Sequence, residues 1–398
     1  MPPDPARLRA TVEHLEAIDR PSASAGERAA AEWIAGRLRA EGLEPRIEAE
    51  RAHGTYWVPL GLLSGAAVLA GLAAARGGRR ARAVATLVGA VAAAGIAEDV
   101  SAGPHLLRRL LPQRETSNVM AEAGDPEAGE TLVFIAHHDA AHGGFIFNER
   151  FVAALADRFP KWYENQTTSP QIMAVVAGGP ALMALGAAVG LRPLRTLGTV
   201  LSMGSVAAFA DIAGREVVPG ANDNGTAVAV LLELARLLRE EPVRGVRVVL
   251  LSTGSEESFM EGMRGWMRRH AASLPRERTR LVCLESVGSP ELIVIEGEGM
   301  LRMQDYAPEV RDLLGDAAGR AGVHARRGLR LGLATDGLIA LRAGYRAAVL
   351  ASVTRHKFPA NYHSHRDIAA NVDWSTVRDA TAVCEAVVRS VAEAEARG

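Results

Sequence analysis

The stretch TLVFIAHHDAAHGG, residues 131–144, runs as an apolar strand into three histidines and an aspartate. Side chains on a strand alternate faces with period two, so His137 and Asp139 share one face while His138 takes the other. An imidazole with a carboxylate beside it is the pairing that orients a metal-binding histidine and raises its basicity. A solvated strand end looks much the same in isolation, so the flanking segments have to decide.

Those segments alternate between helix and strand. Amphipathic helical patterns over residues 4–19 and 26–42 precede the strands EPRIEAE and SNVMAEA, and GDPEAGE forms the turn into TLVFIAH. A helix over 225–240 follows, then the strand VRVVLLS, a helix after Phe259, the strands RLVCLES and ELIVIEG, and a helix near 308–322. The strand RAAVLAS and a helix from residue 373 close the chain. This order predicts an α/β fold with a mixed, mostly parallel central sheet flanked by helices. In such sheets ligands gather at the carboxyl ends of the strands.

Two long apolar stretches interrupt the pattern. GTYWVPLGLLSGAAVLAGLAAA (54–75) carries no charge, RGGRRAR follows, and AVATLVGAVAAAGIA then runs uncharged to residue 97. The design recurs in PQIMAVVAGGPALMALGAAVGL (170–191), a short RPLR turn, and TLGTVLSMGSVAAFA to residue 210. These segments are apolar around their whole circumference and rich in Gly, Ala and Ser, which suits close helix packing. The chain therefore divides into a catalytic body of residues 1–53, 98–169 and 211–398 and two inserted apolar helical hairpins, 54–97 and 170–210. The first and third apolar segments reach the length of a bilayer core of about 30 Å, whereas the second and fourth fall short. Membrane association is expected, in the cell membrane of a bacterium. The alternative is that the hairpins pack on one another or across a homodimer. The basic tips favour a cytoplasmic location for the turns, but HLLRRLLPQR adds charge on the opposite side, which leaves the sidedness open.

At 398 residues the chain is ample for a large core, and its formal net charge of -1 gives no electrostatic case for a nucleic-acid partner. Cys283 and Cys384 are read as buried small hydrophobes rather than a disulfide. The opening MPPDPARLRATVEHLEAIDR has no apolar run after a basic start, so no cleavable signal peptide is expected.

The acids and histidines fall at strand ends. VVPGANDNGTAVAV presents Asp223 from a Gly-rich loop before a helix, rather than buried. VRVVLLSTGSEES puts Glu256 and Glu257 beyond another strand, RLVCLES ends on Glu285, and FPANYHSHRD supplies His363, His365 and Asp367. Singly, each has a plain reading: Asp223 as a helix N-cap, the glutamates as a solvated turn, His363 as a surface residue. Together, two histidines and three carboxylates at one sheet edge form a nitrogen-and-oxygen set suited to zinc. Two adjacent glutamates also allow one to bind metal and the other to act as general base.

The order H-x-D, P-G-A-x-D-N, E-E, an acid after a strand, and Y-H-x-x-x-D resembles the co-catalytic di-zinc aminopeptidases of metallopeptidase family twenty-eight, which are related to glutamate carboxypeptidase and glutaminyl cyclase. The resemblance covers the chain apart from the hairpins. It implies two zinc ions, one held by His137 and Glu285, the other by Glu257 and His363, with Asp223 bridging. It further implies Glu256 as general base on a metal-activated bridging water and Asp139 as the carboxylate behind His137. Tyr362 would bond the tetrahedral intermediate, and Asp336 lies in a segment near the substrate pocket. His365 competes with His363, but only His363 has an aspartate, Asp367, four residues on. His138 and His142 have no counterpart and are read as surface groups or as support to the ligands. The family commonly has aspartate where this chain has Glu285.

The implied activity is amide-bond hydrolysis, foremost removal of an N-terminal amino acid from a peptide. An N-acyl amino acid amidase or a glutaminyl-cyclase-like acyltransferase is the alternative enzyme, acting on a peptide or acyl-amino-acid substrate. A catalytically inactive receptor or scaffold is a third reading. The second hairpin lies between the H-x-D strand and the bridging aspartate, so it leaves and rejoins the body beside the metals. It is therefore expected to hold the site against a bilayer or to form an apolar lid, favouring a hydrophobic substrate.

Overall fold

A computed structural model describes residues 2–101 and 103–397. Two helices open the chain, α1 (Pro5–Glu16) and α2 (Ala25–Ala40), capped by Asp4 and Ser24 side chains that accept backbone N–H groups of the first turn. Strand β1 (Arg46–Ala52) leads into the first hairpin, α3 (Trp57–Arg76) and α4 (Arg79–Val100). Strands β2 (Arg114–Gly124) and β3 (Thr131–His137) precede two short helices, α5 (Glu149–Arg158) and α6 (Pro160–Glu164). The second hairpin is α7 (Ile172–Val189) and α8 (Arg192–Ala213). Then come α9 (Thr226–Glu240), β4 (Arg247–Thr253), α10 (Glu261–His270), β5 (Thr279–Glu285) and β6 (Glu291–Ile295). The two-residue strands β7 (Gly297–Glu298), β8 (Gln304–Asp305) and β9 (Arg330–Leu331) form a small second sheet, with α11 (Pro308–Arg320) between β8 and β9. The chain closes with α12 (Asp336–Arg342), β10 (Arg346–Val353) and α13 (Trp374–Glu395).

The main sheet has seven strands in the order β1-β2-β4-β3-β5-β10-β6. Its central strands β4, β3, β5 and β10 run parallel, while β1, β2 and β6 add antiparallel edges. Although only the GDPEAGE turn separates β2 from β3, the two do not pair, because β4 lies between them. β3 is apolar throughout and buried along its whole length, as a central strand covered on both faces must be. One face packs against α1, α2, α9, α11 and α13, and the other against α10 and α12. Cys283 and Cys384 are free and buried in these cores.

The hairpins pack on one another as a four-helix bundle. Its interior is made of small residues such as Ala67, Ala74, Ala85 and Ala92 around Met183, while Leu69, Leu87, Val91, Leu185 and Val200 face outward. A bundle apolar on the outside and small inside reverses the pattern of a water-soluble one. Gly198 shows how tight the contact is: a Cβ there would sit 2.6 Å from the Gly179 carbonyl on α7. The second and fourth helices are longer than the uncharged runs suggest. α4 and α8 have 22 residues each because they take in the basic residues of the turns and run on to Val100 and Ala213. All four helices, of 18 to 22 residues, are long and apolar enough to cross a membrane.

Candidate metal centre

The parallel strands deliver acids and imidazoles to one edge. His137 ends β3, Glu285 ends β5, and Glu256 and Glu257 follow the turn after β4. Asp223 comes from the loop before α9 and His363 from the loop after β10. The Oδ1 of Asp223 lies 3.2 Å from His137 Nε2 and its Oδ2 3.4 Å from His363 Nε2, so one carboxylate faces both imidazoles. Glu285 Oε2 is 3.7 Å from His137 Nε2, and Glu257 Oε2 is 3.2 Å from His363 Nε2. Glu256 Oε2 stands 4.0 Å from His137 Nε2. Three donor triads result: His137–Asp223–Glu285 and Asp223–Glu257–His363 share Asp223, and His137–Glu256–Glu257 spans the two.

The donor set fits divalent cations. Four carboxylates converge on two imidazoles, an excess of buried negative charge that needs a positive partner. His363 Nδ1 and Glu257 Oε1 are buried with no hydrogen-bond partner, and His363 Nε2 faces only the carboxylates of Asp223 and Glu257. Burial opposes a charge on His363, yet Glu257 and Asp223 overcome it and push the imidazole up to about 10. The same contest, with Glu285 and Asp139 as the leading partners, raises His137 well above its usual range. Burial raises Glu256, and Glu285 and Glu257 add to the effect.

A surrounding shell holds these groups. Asp139 accepts the backbone N–H groups of Glu256 at 3.0 Å and Glu257 at 3.1 Å and the Ser22 hydroxyl at 2.6 Å. It also lies 3.3 Å from His137 Nδ1. Asp367 accepts the N–H groups of Asn222 at 2.7 Å and Asp223 at 3.0 Å, fixing the loop that carries Asp223. In that loop Gly220 has φ 64, and a Cβ would sit 2.6 Å from the Asp223 carbonyl and 2.8 Å from the Arg20 guanidinium. Tyr362 stacks on His363 at 3.8 Å, and His365 is exposed, away from the triads. Asp336 is buried and accepts the Thr253 hydroxyl.

Several plain readings give way. Asp223 is 3 % exposed, so the loop presents it inside the protein and not to solvent. It caps no helix, since α9 begins after Gly225 without a side-chain cap. His138 is buried rather than superficial, with Nδ1 2.9 Å from the Ser252 hydroxyl and burial holding it down at about 3. His142 sits edge-on to Trp57 and 2.8 Å from the Arg215 carbonyl, where the chain returns from the second hairpin.

Two supporting residues carry no signal in the sequence. Arg20 is fully buried and donates to the carbonyls of Leu15, His138, Pro219 and Gly220, tying the end of β3 to the Asp223 loop. Glu27 accepts from Ala23, Thr116, Ser117 and Ser255, and so holds the turn that precedes Glu256. Ser255 there has φ 53, a conformation a β-substituted residue rarely adopts unaided.

The sequence profile of peptidase family M28 matches residues 205–388, a span holding Asp223, Glu256, Glu257, Glu285 and His363. Over that span the chain is similar to peptidase family M28. The chain shares its fold with an aminopeptidase from Aneurinibacillus sp. strain AM-1, at a TM-score of 0.55 and 14% identity over 98% of this chain and 94% of that one. Porphyromonas gingivalis glutaminyl cyclase gives 0.55 and 14% over 98% of both chains. BSAP, a zinc aminopeptidase from Bacillus subtilis, gives 0.55 and 15% over 98% and 95%. The uncharacterized protein YfbL of Escherichia coli K12 is 42% identical over 71 residues, 18% of this chain and 22% of the relative. The match therefore spans about a fifth of that relative's length.

A cleft of about 1090 Å³, counting its open mouth, adjoins the candidate metal centre. Glu256, Glu257 and His363 line it together with Tyr56, Ile172 and Met173 from the bases of the hairpins.

Proposed function

We propose that this peptidase is a membrane-embedded aminopeptidase working with two zinc ions, and that its substrates present an apolar group to the cleft. The observation that carries the reading is the placement of Asp223 between His137 and His363, one oxygen toward each. His137 and Glu285 would hold one ion, Glu257 and His363 the other, and Asp223 would bridge them. Bound at these positions, zinc would acidify a water and polarise a carbonyl. Glu256 takes the proton of the attacking water and passes it to the leaving amine, as oxygen bonds to the carbonyl carbon and the C–N bond breaks. Asp139 orients His137 through Nδ1 and, through two backbone N–H groups, keeps Glu256 and Glu257 turned toward the same point. The Tyr362 phenol, kept protonated by burial, donates to the tetrahedral oxygen.

The body formed by residues 1–53, 98–169 and 211–398 would stand on a bundle of four membrane spans. Exposed Arg76, Arg79 and Arg80 at the tip of the first hairpin and Arg192 at the second favour a cytoplasmic tip and a catalytic body on the opposite side. Arg108, which the sequence sets against this orientation, is buried in a bidentate pair with Asp99.

The test is zinc content per chain in detergent-purified protein, beside hydrolysis of aminoacyl-anilide and N-acyl amino acid panels. Wild type is expected to hold two zinc ions and cleave the aminoacyl panel. Glu256→Gln should keep the metal and lose turnover by about 10²–10⁴-fold. A wild type without metal, or a fully active Glu256→Gln, overturns the mechanism. The glutaminyl cyclases among the structural neighbours favour cyclising acyl transfer as a second reading. Pyroglutamyl product from an N-terminal glutamine peptide, with no hydrolysis of the panel, would select it.

A further inference from the structure

We propose that residues 145–173 form an interfacial segment lying in the bilayer surface beside the bundle, so that the cleft receives amides whose long apolar chain is held in lipid. The proposal rests on the membrane reading above and adds a contact surface and a substrate class to it.

The segment begins and ends at the bases of the second hairpin. Its Phe145 N–H donates to the Asp211 carboxylate near the end of α8 at 2.7 Å, and it runs through α5 and α6 directly into α7 at Ile172. The inward side is firmly held. Tyr163 is buried with its hydroxyl on the His356 carbonyl, and the Lys357 ammonium donates to the carbonyls of Tyr163, Glu164 and Gln166 at 2.6, 3.1 and 2.6 Å. From the same side Ile146, Phe147 and Val152 line the cleft, and Phe147 stands edge-on to His363 at 4.4 Å. The segment is thus a wall of the active site.

The outward side exposes large apolar side chains, one of them, Phe159, with the Arg158 guanidinium 5.2 Å over its ring. Phe145, Leu155, Phe159 and Trp162 are 48, 39, 49 and 54% exposed. Ile172 and Val175, at 38 and 52%, continue the surface onto the first turn of α7. The patch is therefore continuous with the outer face of a helix long and apolar enough to cross a bilayer. Trp and Phe at the base of a membrane span suit the headgroup boundary, where an amphipathic helix lies flat with its apolar face in the acyl region. Exposed Arg150, Arg158 and Lys161 are offset by exposed Glu149, Asp157 and Glu164, so apolar contact rather than net charge would hold the segment down. Bilayer, segment, cleft and metal centre then stand in sequence. A chain rooted in lipid can lie along Ile172 and Met173 while its amide reaches Glu256 and His363.

The full chain would be reconstituted in vesicles of phosphatidylcholine and phosphatidylglycerol with brominated acyl chains, and its tryptophan emission compared with that of Trp162→Phe. Wild type should show a quenched component that Trp162→Phe lacks. In ordinary vesicles, leucine dodecylamide should be hydrolysed with a kcat/KM about tenfold or more above that of leucine ethylamide. A Phe159→Ser/Trp162→Ser variant should lose that advantage while keeping wild-type rates on the ethylamide. Equal quenching of wild type and Trp162→Phe in protein that still floats with the vesicles overturns the interfacial segment alone. Equal kcat/KM for the two amides overturns the substrate class. Protein that fails to float overturns the membrane reading, and the proposal with it.

Discussion

Replacing Arg20 by methionine tests whether the centre is held from below by a single buried side chain. The guanidinium donates at 2.8 Å to His138 and Leu15, 2.6 Å to Pro219 and 2.7 Å to Gly220, all main-chain carbonyls. Methionine fills a similar volume and donates nothing. The Leu15 and Gly220 carbonyls also accept the Ile18 and Gly225 N–H groups, so methionine strands two acceptors, His138 and Pro219. At about 1–3 kcal/mol for each buried acceptor left unpaired, the loss is on the order of 4 kcal/mol. In a chain of 398 residues that should lower the melting temperature by roughly 5 °C. Because the freed carbonyls flank His137 and Asp223, zinc affinity should fall as well, by about 10–100-fold as for other supporting residues of metal sites. Arg20→Lys keeps a positive charge near Asp139, Asp223 and Asp367 but has three donors for four carbonyls, so it should fall between. Melts followed by circular dichroism in detergent, with zinc titrated against a competing chelator, provide the readout. An Arg20→Met protein that melts within about 2 °C of wild type and binds zinc equally well would refute the reasoning.

Glu298 is buried against the Tyr306 hydroxyl and Thr335, and burial raises it from 4.5 to about 7. A carboxyl raised on folding gives stability that is full below 4.5 and is lost as the pH rises through about 7. Glu298→Gln should therefore flatten the fall in melting temperature across that window, and parallel curves for the two proteins would contradict the assignment. In the bundle, Gly198→Val should destabilise by about 1–3 kcal/mol by forcing α8 from α7. Gly65→Val, where an added Cβ meets nothing within 4 Å, should be neutral in the same detergent melts. Zinc at 100 times its Kd should stabilise the protein by about 2.7 kcal/mol over the chelated form. A melting temperature unmoved by chelation would count against a metal shared by His137, Asp223 and His363.

The elements of the fold and the residues that gather at the site were legible in the sequence because both are written locally. Period-two runs such as TLVFIAH, turn residues such as GDPEAGE and motifs such as STGSEES lie within a dozen residues, and short-range sterics and burial suffice to read them. The uncharged runs likewise mark four helices, though the basic ends of α4 and α8 are invisible to a count of apolar residues. Strand order was not legible. A short turn between β2 and β3 invites a hairpin, yet β4 pairs with both, because side-chain periodicity says which face of a strand is buried and nothing about which strand lies beside it.

What only the tertiary structure decided is the work of residues whose partners are far away in the chain. Arg20 reaches Gly220 across 200 positions and Glu27 reaches Ser255 across 228, and nothing around either residue announces the contact. Arg108 looks in sequence like one more surface charge, but folding buries it against Asp99 and removes it from the balance that orients a membrane protein. The two oxygens of Asp223 face opposite imidazoles for the same reason: β3, the loop before α9 and the loop after β10 meet only when the sheet forms. The sequence alone specified which groups can bind metal. Their convergence is a property of long-range packing, in which buried acceptors must find donors wherever along the chain those donors lie.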